Sequence, residues 1–382
     1  MSPLHPYARQ IDALEKRARA RRLIPRAGID FSSNDYLALA HSPAISSALM
    51  EALAQGVPAG SGGSRLLRGN APEHEALEEQ AARFFGSEAA LYMANGFAAN
   101  LSILSTLPRA GDLIIADELA HASMIDGIRQ SKAQAVFVTH NDAVAFEDAI
   151  TAWRTQGGTG TPWIVAETLY SMDGDMAPVD DLFAIATRHD GFLLLDEAHA
   201  TGVFGPDGKG LSTHLEGAEN LITLHTCGKG LGVEGALVCA PKLLTQTLIN
   251  KARPFIFSTA PSPLMAVAVG AALNQISGPS GDMLRDELRA LATHAGEVIC
   301  APLGLPMPET QIIPIIIGAD ARTMEVAAAC QNAGFDVRGV RPPTVPPGTS
   351  RLRLSITRNL TNEDIDALAE TLLPSLRAKE SL

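Results

Sequence analysis

The sequence predicts an α/β fold: a mostly parallel β-sheet covered by helices, followed by a smaller α/β lobe. Three observations carry this. Short apolar runs recur at Ala89–Met93, Leu113–Ala116, Ala135–Thr139, Trp163–Glu167, Phe192–Leu195, Leu221–Leu224 and Ala236–Ala240, as in strands covered on both faces. Helical stretches separate most of the earlier runs, which is the βαβ rhythm of a parallel sheet. The rhythm breaks after Pro241, and at 382 residues the chain is too long for one small core.

Taken in order, residues 7–23 read as a basic amphipathic helix that ends near Pro25. Phe31–Leu39 is a short extended or turning segment. Pro72 sits at a favourable early helix position, Glu73 and Glu75 occupy the first turn, and Gly86 closes that helix after Phe84-Phe85. Beyond Pro241 come two helices, around Leu243–Lys251 and Pro263–Ile276. Gly278-Pro279-Ser280-Gly281 reads as a junction. A helix (Met283–Cys300), a strand (Ile312–Ile317), a helix (Thr323–Ala333), a strand (Arg351–Ile356) and a last helix (Asp364–Leu376) then follow. The Pro-rich stretch Arg341–Gly348 reads as an ordered loop. The expected organisation is an N-terminal helical segment (1–40), a large domain (41–277) and a small C-terminal α/β domain (278–382).

Composition narrows the class. Hydrophobic residues at 46% and charged residues at 19% describe a folded chain rather than a disordered one. A net charge of −12 argues against nucleic acid as the main partner but leaves room for a local basic pocket. The four cysteines form no CxxC pair and read as buried thiols of a reducing, cytoplasmic compartment. Met1–Ile24 lacks the apolar core of a signal peptide. No apolar stretch reaches membrane-spanning length, and no HExxH or paired His/Cys spacing marks a metal site.

The chemistry concentrates just after the apolar runs, where ligands of open α/β sheets collect. Glu167 and Ser171 follow one run, Asp196 and His199 another, Thr226 and Lys229 a third, and His121 lies a few residues past a fourth. Together these residues supply acids, imidazoles, hydroxyls and one lysine, Lys229, between Gly228 and Gly230. Such a set suits pyridoxal 5'-phosphate (PLP). Lys229 would carry the cofactor as a Schiff base, and Asp196 would keep the pyridine nitrogen protonated. His199 would bond the ring hydroxyl oxygen or support Asp196. Asn95-Gly96-Phe97, between a strand and a helix, offers backbone N–H groups to a phosphate. His121 would cap its helix or lie flat on the cofactor.

Two decoys fail on spacing. Asp196-Glu197-Ala198-His199 spells a helicase box, and Gly228-Lys229 looks like the end of a phosphate loop. A Walker motif, however, needs a glycine where Thr223 stands and Ser or Thr where Gly230 stands. Gly60-Ser61-Gly62-Gly63-Ser64 follows no strand and lacks dinucleotide-binding spacing.

The order of motifs resembles the α-oxoamine synthases, fold-type I PLP-dependent transferases. The likeness runs through Ser32–Leu37, Gly60–Arg65, Asn95–Asn100, His121-Ala122-Ser123, Ser171–Asp175, Asp196–Gly202, Thr226–Gly232 and Arg341–Pro346, ending at Arg351–Leu354. The resemblance implies roles. Lys229 holds the cofactor, Asp196 its ring nitrogen and His199 its ring oxygen. His121 stacks on the ring, and Ser171 lines the pocket. Gly96 and Phe97 meet the phosphate with Thr226 nearby. Ser258 or Thr259 reaches the phosphate of a second subunit, because the family builds its sites at a homodimer interface. Asn34 and Arg353 form the amino-acid carboxylate clamp, which suits arginine's planar fork. Thr344 and an N-terminal arginine, Arg21 rather than Arg22, meet the acyl substrate. The implied reaction is a decarboxylating condensation of L-alanine with a pimeloyl thioester, carried by CoA or acyl carrier protein. Glycine with succinyl-CoA or acetyl-CoA, and serine with a long acyl chain, are the rival pairs within the family.

Overall fold

The computed structural model describes residues 2–377. The chain divides into two compact units, one comprising Leu37–Ser171 and Asp175–Arg285, the other the residues up to Tyr36, Met172–Gly174 and those from Asp286 onward.

The larger unit is built on seven strands: β1 (Ala89–Met93), β2 (Leu113–Asp117), β3 (Gln134–Val138), β4 (Pro162–Glu167), β5 (Phe192–Asp196), β6 (Leu221–Thr226) and β7 (Ala236–Ala240). Their spatial order is β1-β7-β6-β5-β4-β2-β3. Pairing is parallel from β6 through β3, and β7 runs antiparallel to both its neighbours. The expected strands all form. Their continuous apolar character has a direct cause, visible in β5. Leu194 belongs to the core layer with Leu91, Ile103, Ile114, Met124 and Leu224. Leu193 and Leu195 point to the opposite layer, with Ile115, Phe146, Ile150 and Leu182. Each such side chain, fully buried, stabilises the fold by about 1.5–3 kcal/mol relative to an exposed one.

Helices cross between these strands, and their starts are read from capping chemistry. Pro72 opens α1 (Pro72–Phe85), and Gly86 ends it at φ 87°, a conformation that costs glycine nothing. Asn95 caps α2 (Gly96–Thr106), accepting from the Ala98 N–H at 2.8 Å. His121 caps α3 (Ala122–Gln130) through the Ser123 N–H, and Asp142 caps α4 (Ala143–Thr155).

The smaller unit holds an antiparallel sheet of β8 (Ile312–Gly318), β9 (Gly339–Val340) and β10 (Ser350–Ser355) in the order β9-β10-β8. Helices Asp320–Asn332 and Asn362–Arg377 accompany it. Ile29–Asp30 pairs in parallel with Phe335–Asp336. Arg351 ion-pairs with Asp173.

Two expectations shift. The N-terminal helix spans His5–Lys16 rather than 7–23, and none of its residues is buried. Ala18 takes a left-handed conformation, and the Ala18 and Arg19 N–H groups fold back onto Glu15 and Leu14. Arg19 is drawn to Asp320 at 2.6 Å. Tertiary pairing thus ends a helix that periodicity would continue. The Gly278–Gly281 stretch, expected as a junction, forms the first turn of the helix Gly278–Ala295, directly after the helix that ends at Ile276. Pro279 is tolerated there because a first-turn residue has no intrahelical N–H bond to lose. Among the described residues no helix is long and apolar enough to cross a membrane, and no cluster of side chains could hold a metal ion.

Candidate active site

The carboxyl ends of β2, β4, β5 and β6 each deliver a polar residue in the larger unit. Asp196, the last residue of β5, is buried, and both its oxygens are engaged. Oδ1 accepts the Ala198 N–H at 2.9 Å, and Oδ2 accepts the Asn100 side-chain N–H at 2.7 Å. Asn100 also donates to Ser123 Oγ at 3.0 Å, and Ser123 Oγ lies 2.7 Å from His121 Nδ1. One chain of hydrogen bonds therefore runs from His121 to Asp196. Beyond β5, His199 meets the lysine that follows β6, with Lys229 Nζ 2.8 Å from His199 Nε2.

The charges of this cluster are interdependent. Burial pushes the His121 pKa down; the Asp196 charge opposes that shift and Lys229 adds to it. His121 therefore stays neutral near pH 7, and its Nδ1 accepts from Ser123. Glu167 ends β4 in register with Asp196. Burial, then the neighbouring Asp196 carboxylate, pushes its pKa up to about 8, although Lys229 and the Ser171 backbone N–H pull the other way. Its Oε1 has no hydrogen-bond partner. Ser171 itself is buried.

The start of α2 has the character of an anion cradle. Asn95 takes the Ala98 N–H with its side chain and the Ala99 N–H with its carbonyl. No acceptor among the described residues takes the N–H groups of Gly96 and Phe97, the two residues singled out for a phosphate. These are the donors that a helix start leaves for a ligand. A Cβ on Gly96 would lie 2.5 Å from the Thr226 methyl, so only glycine leaves Thr226 beside the helix start. Thr226 is buried, and its Oγ1 donates to the Ala198 carbonyl at 3.4 Å. Thr259 and Ser258 are exposed.

These residues fit PLP. A buried carboxylate with both oxygens fixed, a lysine held by an imidazole, and two uncommitted N–H groups at a helix start match a pyridinium, an aldehyde and a phosphate in turn.

The smaller unit assembles the remaining predicted residues. Arg353, buried on β10, donates through Nη1 to Asn34 Oδ1 at 3.0 Å and Ser355 Oγ at 2.7 Å, and through Nη2 to Tyr36 Oη at 3.2 Å. Tyr36 Oη donates to Asn34 Oδ1 at 3.0 Å. Burial raises the Tyr36 pKa against the pull of Arg353, so the phenol stays protonated. Arg21 Nη2 donates to Thr344 Oγ1 at 3.2 Å, whereas Arg22 bonds Glu15. The two residues expected at the acyl substrate are thus in contact with each other. Asn100, Ser123 and Tyr36 stand inside the motif segments, yet the sequence reading gives them no role. The available signal was a polar residue on an otherwise apolar helix face, as Asn100 is in α2.

Residues 26–372 match the family described as aminotransferase class I and II. An 8-amino-7-oxononanoate synthase of Paraburkholderia xenovorans is 42% identical over 360 residues, covering 93% of this chain and 90% of that one. Among solved structures, an 8-amino-7-oxononanoate synthase from Francisella tularensis superposes with a TM-score of 0.76 at 27% identity, covering 92% of this chain and 98% of that one. A serine palmitoyltransferase of S. paucimobilis superposes with a TM-score of 0.89 over 99% of both chains at 24% identity, a likeness of fold alone. The chain belongs to the aminotransferase class I and II family and, within it, to the α-oxoamine synthases represented by the 8-amino-7-oxononanoate synthases it matches.

Proposed function

We infer that this enzyme condenses L-alanine with a pimeloyl thioester to give 8-amino-7-oxononanoate, CO2 and the free thiol, using PLP. The observation that carries the chemistry is the contact of the half-buried Lys229 with the buried His199, together with an Asp196 whose two oxygens are fixed. The relatives named 8-amino-7-oxononanoate synthase support the choice of substrates over the glycine and serine pairs.

When bound, the cofactor withdraws electrons from the amino acid's Cα, which no protein side chain does. The chain's own residues do the rest. Asp196, held by Asn100 and the Ala198 N–H, keeps a proton on the cofactor's ring nitrogen. His199 would bond the ring oxygen, Gly96, Phe97 and Thr226 would hold the phosphate, and Ser171 would line the pocket. Lys229 Nζ removes the alanine Cα proton, and a C–C bond then forms to the thioester carbonyl as the C–S bond breaks. The alanine carboxylate leaves as CO2, and a proton returns to the same carbon. His121, neutral at pH 7, would stack on the bound cofactor and move a proton near the thioester carbonyl. Arg353 and Asn34 receive the alanine carboxylate, and Arg21 with Thr344 receives the acyl substrate. The same reading makes the enzyme a cytoplasmic homodimer in which Thr259 reaches the phosphate held by a second copy.

The test is to offer alanine, glycine or serine against a panel of thioesters and identify products by mass. Alanine with pimeloyl-CoA or the pimeloyl carrier protein is the expected best pair. Glycine with succinyl-CoA as the best pair would overturn the substrate assignment, and a Lys229→Ala enzyme of near wild-type rate would overturn the mechanism.

A further inference from the structure

Outside the Lys229 cluster, the larger unit holds an imidazole between two carboxylates. His140 follows β3. Its Nδ1 lies 2.9 and 3.0 Å from the two oxygens of Asp117, and its Nε2 lies 2.7 Å from Asp175 Oδ2. Asn141 doubles the link. Its backbone N–H donates to Asp117 at 2.9 Å, and its side chain donates to Asp175 at 2.8 Å and to the Met176 carbonyl at 3.1 Å. The Tyr170 ring meets His140 edge-on, with centroids 4.4 Å apart.

Asp175 is not an arbitrary anchor point. Leu169 bridges to Met176, and the Tyr170 N–H donates to the Asp175 carbonyl at 2.9 Å. The two ends of the Tyr170–Asp175 turn are therefore tied together at Asp175. Ser171 stands at the near end, and its backbone N–H bonds Glu167. An imidazole that satisfies carboxylates through both nitrogens must carry both protons, since the neutral ring has only one N–H. Asp117 is fully buried, so the cation also neutralises a charge that would otherwise be expensive to bury. Burial alone would discharge the ring, but the bonds to Asp117 and Asp175 outweigh it and push its pKa up to about 10.

We propose that His140, as an imidazolium, is a positioning residue that pins Asp175 and thereby fixes the turn placing Ser171 and the Glu167 carboxyl. The link to cofactor binding rests on the reading above that Ser171 lines the PLP pocket. His140 touches no reacting atom and acts through Asp175.

The test uses the full chain carrying His140→Gln, whose amide carries its donors on one side only and is uncharged, and Asp175→Asn, a milder change at a partly exposed site. Two quantities are read: hydrogen exchange across residues 167–176, and the PLP dissociation constant by visible absorbance. In both variants exchange in that segment speeds by about tenfold or more while β5 is unchanged, and PLP binding weakens about 10–100-fold, the loss expected of a charge-assisted hydrogen bond. For Asp175→Asn the unfolding midpoint stays at the wild-type value, which general destabilisation would not allow. The double variant is no worse than the poorer single one, as two ends of one interaction require. Wild-type exchange in both variants overturns the proposal, as does faster exchange with unchanged PLP affinity. A wild-type chain that takes up no PLP sinks the functional reading instead, and the exchange result still decides whether His140 holds the turn.

Discussion

Asn100 donates its side-chain N–H to Asp196 Oδ2 at 2.7 Å, joining two buried residues 96 positions apart. This bond fixes the carboxylate proposed to keep the cofactor's ring nitrogen protonated. Asn100→Ala leaves Asp196 Oδ2 without that donor and Ser123 Oγ without another. A buried hydrogen bond to a charged group contributes about 1.5–3 kcal/mol, so denaturant unfolding of the variant should show a loss of that size. PLP affinity should fall with it, and a variant of wild-type stability and affinity would mean that the bond holds nothing in place.

The Glu167 carboxyl makes stability depend on pH, and the sign follows from its raised pKa. Burial first and the Asp196 charge second lift it from 4.5 to about 8. The folded chain therefore holds a proton that the unfolded chain releases. Its contribution is fully present below pH 4.5 and is lost as pH rises through about 8. Glu167→Gln cannot ionise, so it should remove this fall and stabilise the cofactor-free chain at pH 9 by more than about 1.4 kcal/mol, the value of one pKa unit. His140 adds a decline of the same sign between pH 6.5 and about 10, so the variant keeps that upper limb. Unfolding midpoints measured from pH 5 to 10 for both proteins decide the matter. Parallel curves would refute the shift.

What the sequence conveys, and what it withholds, follows from the range of the forces. The strands of the larger sheet were legible because both faces are buried, so Leu193, Leu194 and Leu195 are all apolar although they serve opposite layers. Lys229, Asp196 and His199 were legible because they stand just past such runs, where a parallel sheet gathers its ligands. Asn100 was not, because its partner lies in another strand, and a polar residue on the apolar face of α2 does not by itself name that partner. Arg19 was read as helical, since periodicity is blind to Asp320, about 300 residues away. His140 stood beyond β3 with no local sign that Asp117 and Asp175 would close on it.

Arg353 should govern the amino acid and not the thioester. Its guanidinium is held by Asn34, Ser355 and Tyr36, which fixes the orientation of the planar fork proposed to meet the alanine carboxylate. Lysine keeps the charge but loses the planar, bidentate geometry. Arg353→Lys should raise the KM for alanine by about 10–100-fold and leave the KM for the pimeloyl thioester near its wild-type value. Steady-state kinetics with each substrate varied separately gives the answer, and an equal rise in both constants would remove Arg353 from the carboxylate site.

Gly96 should be replaceable only together with its neighbour. A Cβ there falls 2.5 Å from the Thr226 methyl, closer than side-chain carbons approach one another. Its φ is not in the left-handed region, so the obstacle is space rather than backbone conformation. Gly96→Ala must therefore displace either the start of α2 or Thr226, and both belong to the proposed phosphate site. PLP affinity should fall by about tenfold, the equivalent of 1.4 kcal/mol. Thr226→Ser removes the obstructing methyl and keeps the hydroxyl. The double variant Gly96→Ala, Thr226→Ser should recover most of the lost affinity, with Thr226→Ser alone near wild type. Titration of each cofactor-free chain with PLP separates the cases. An affinity in the double variant as low as in Gly96→Ala would show that the methyl contact is not what excludes a side chain at this position.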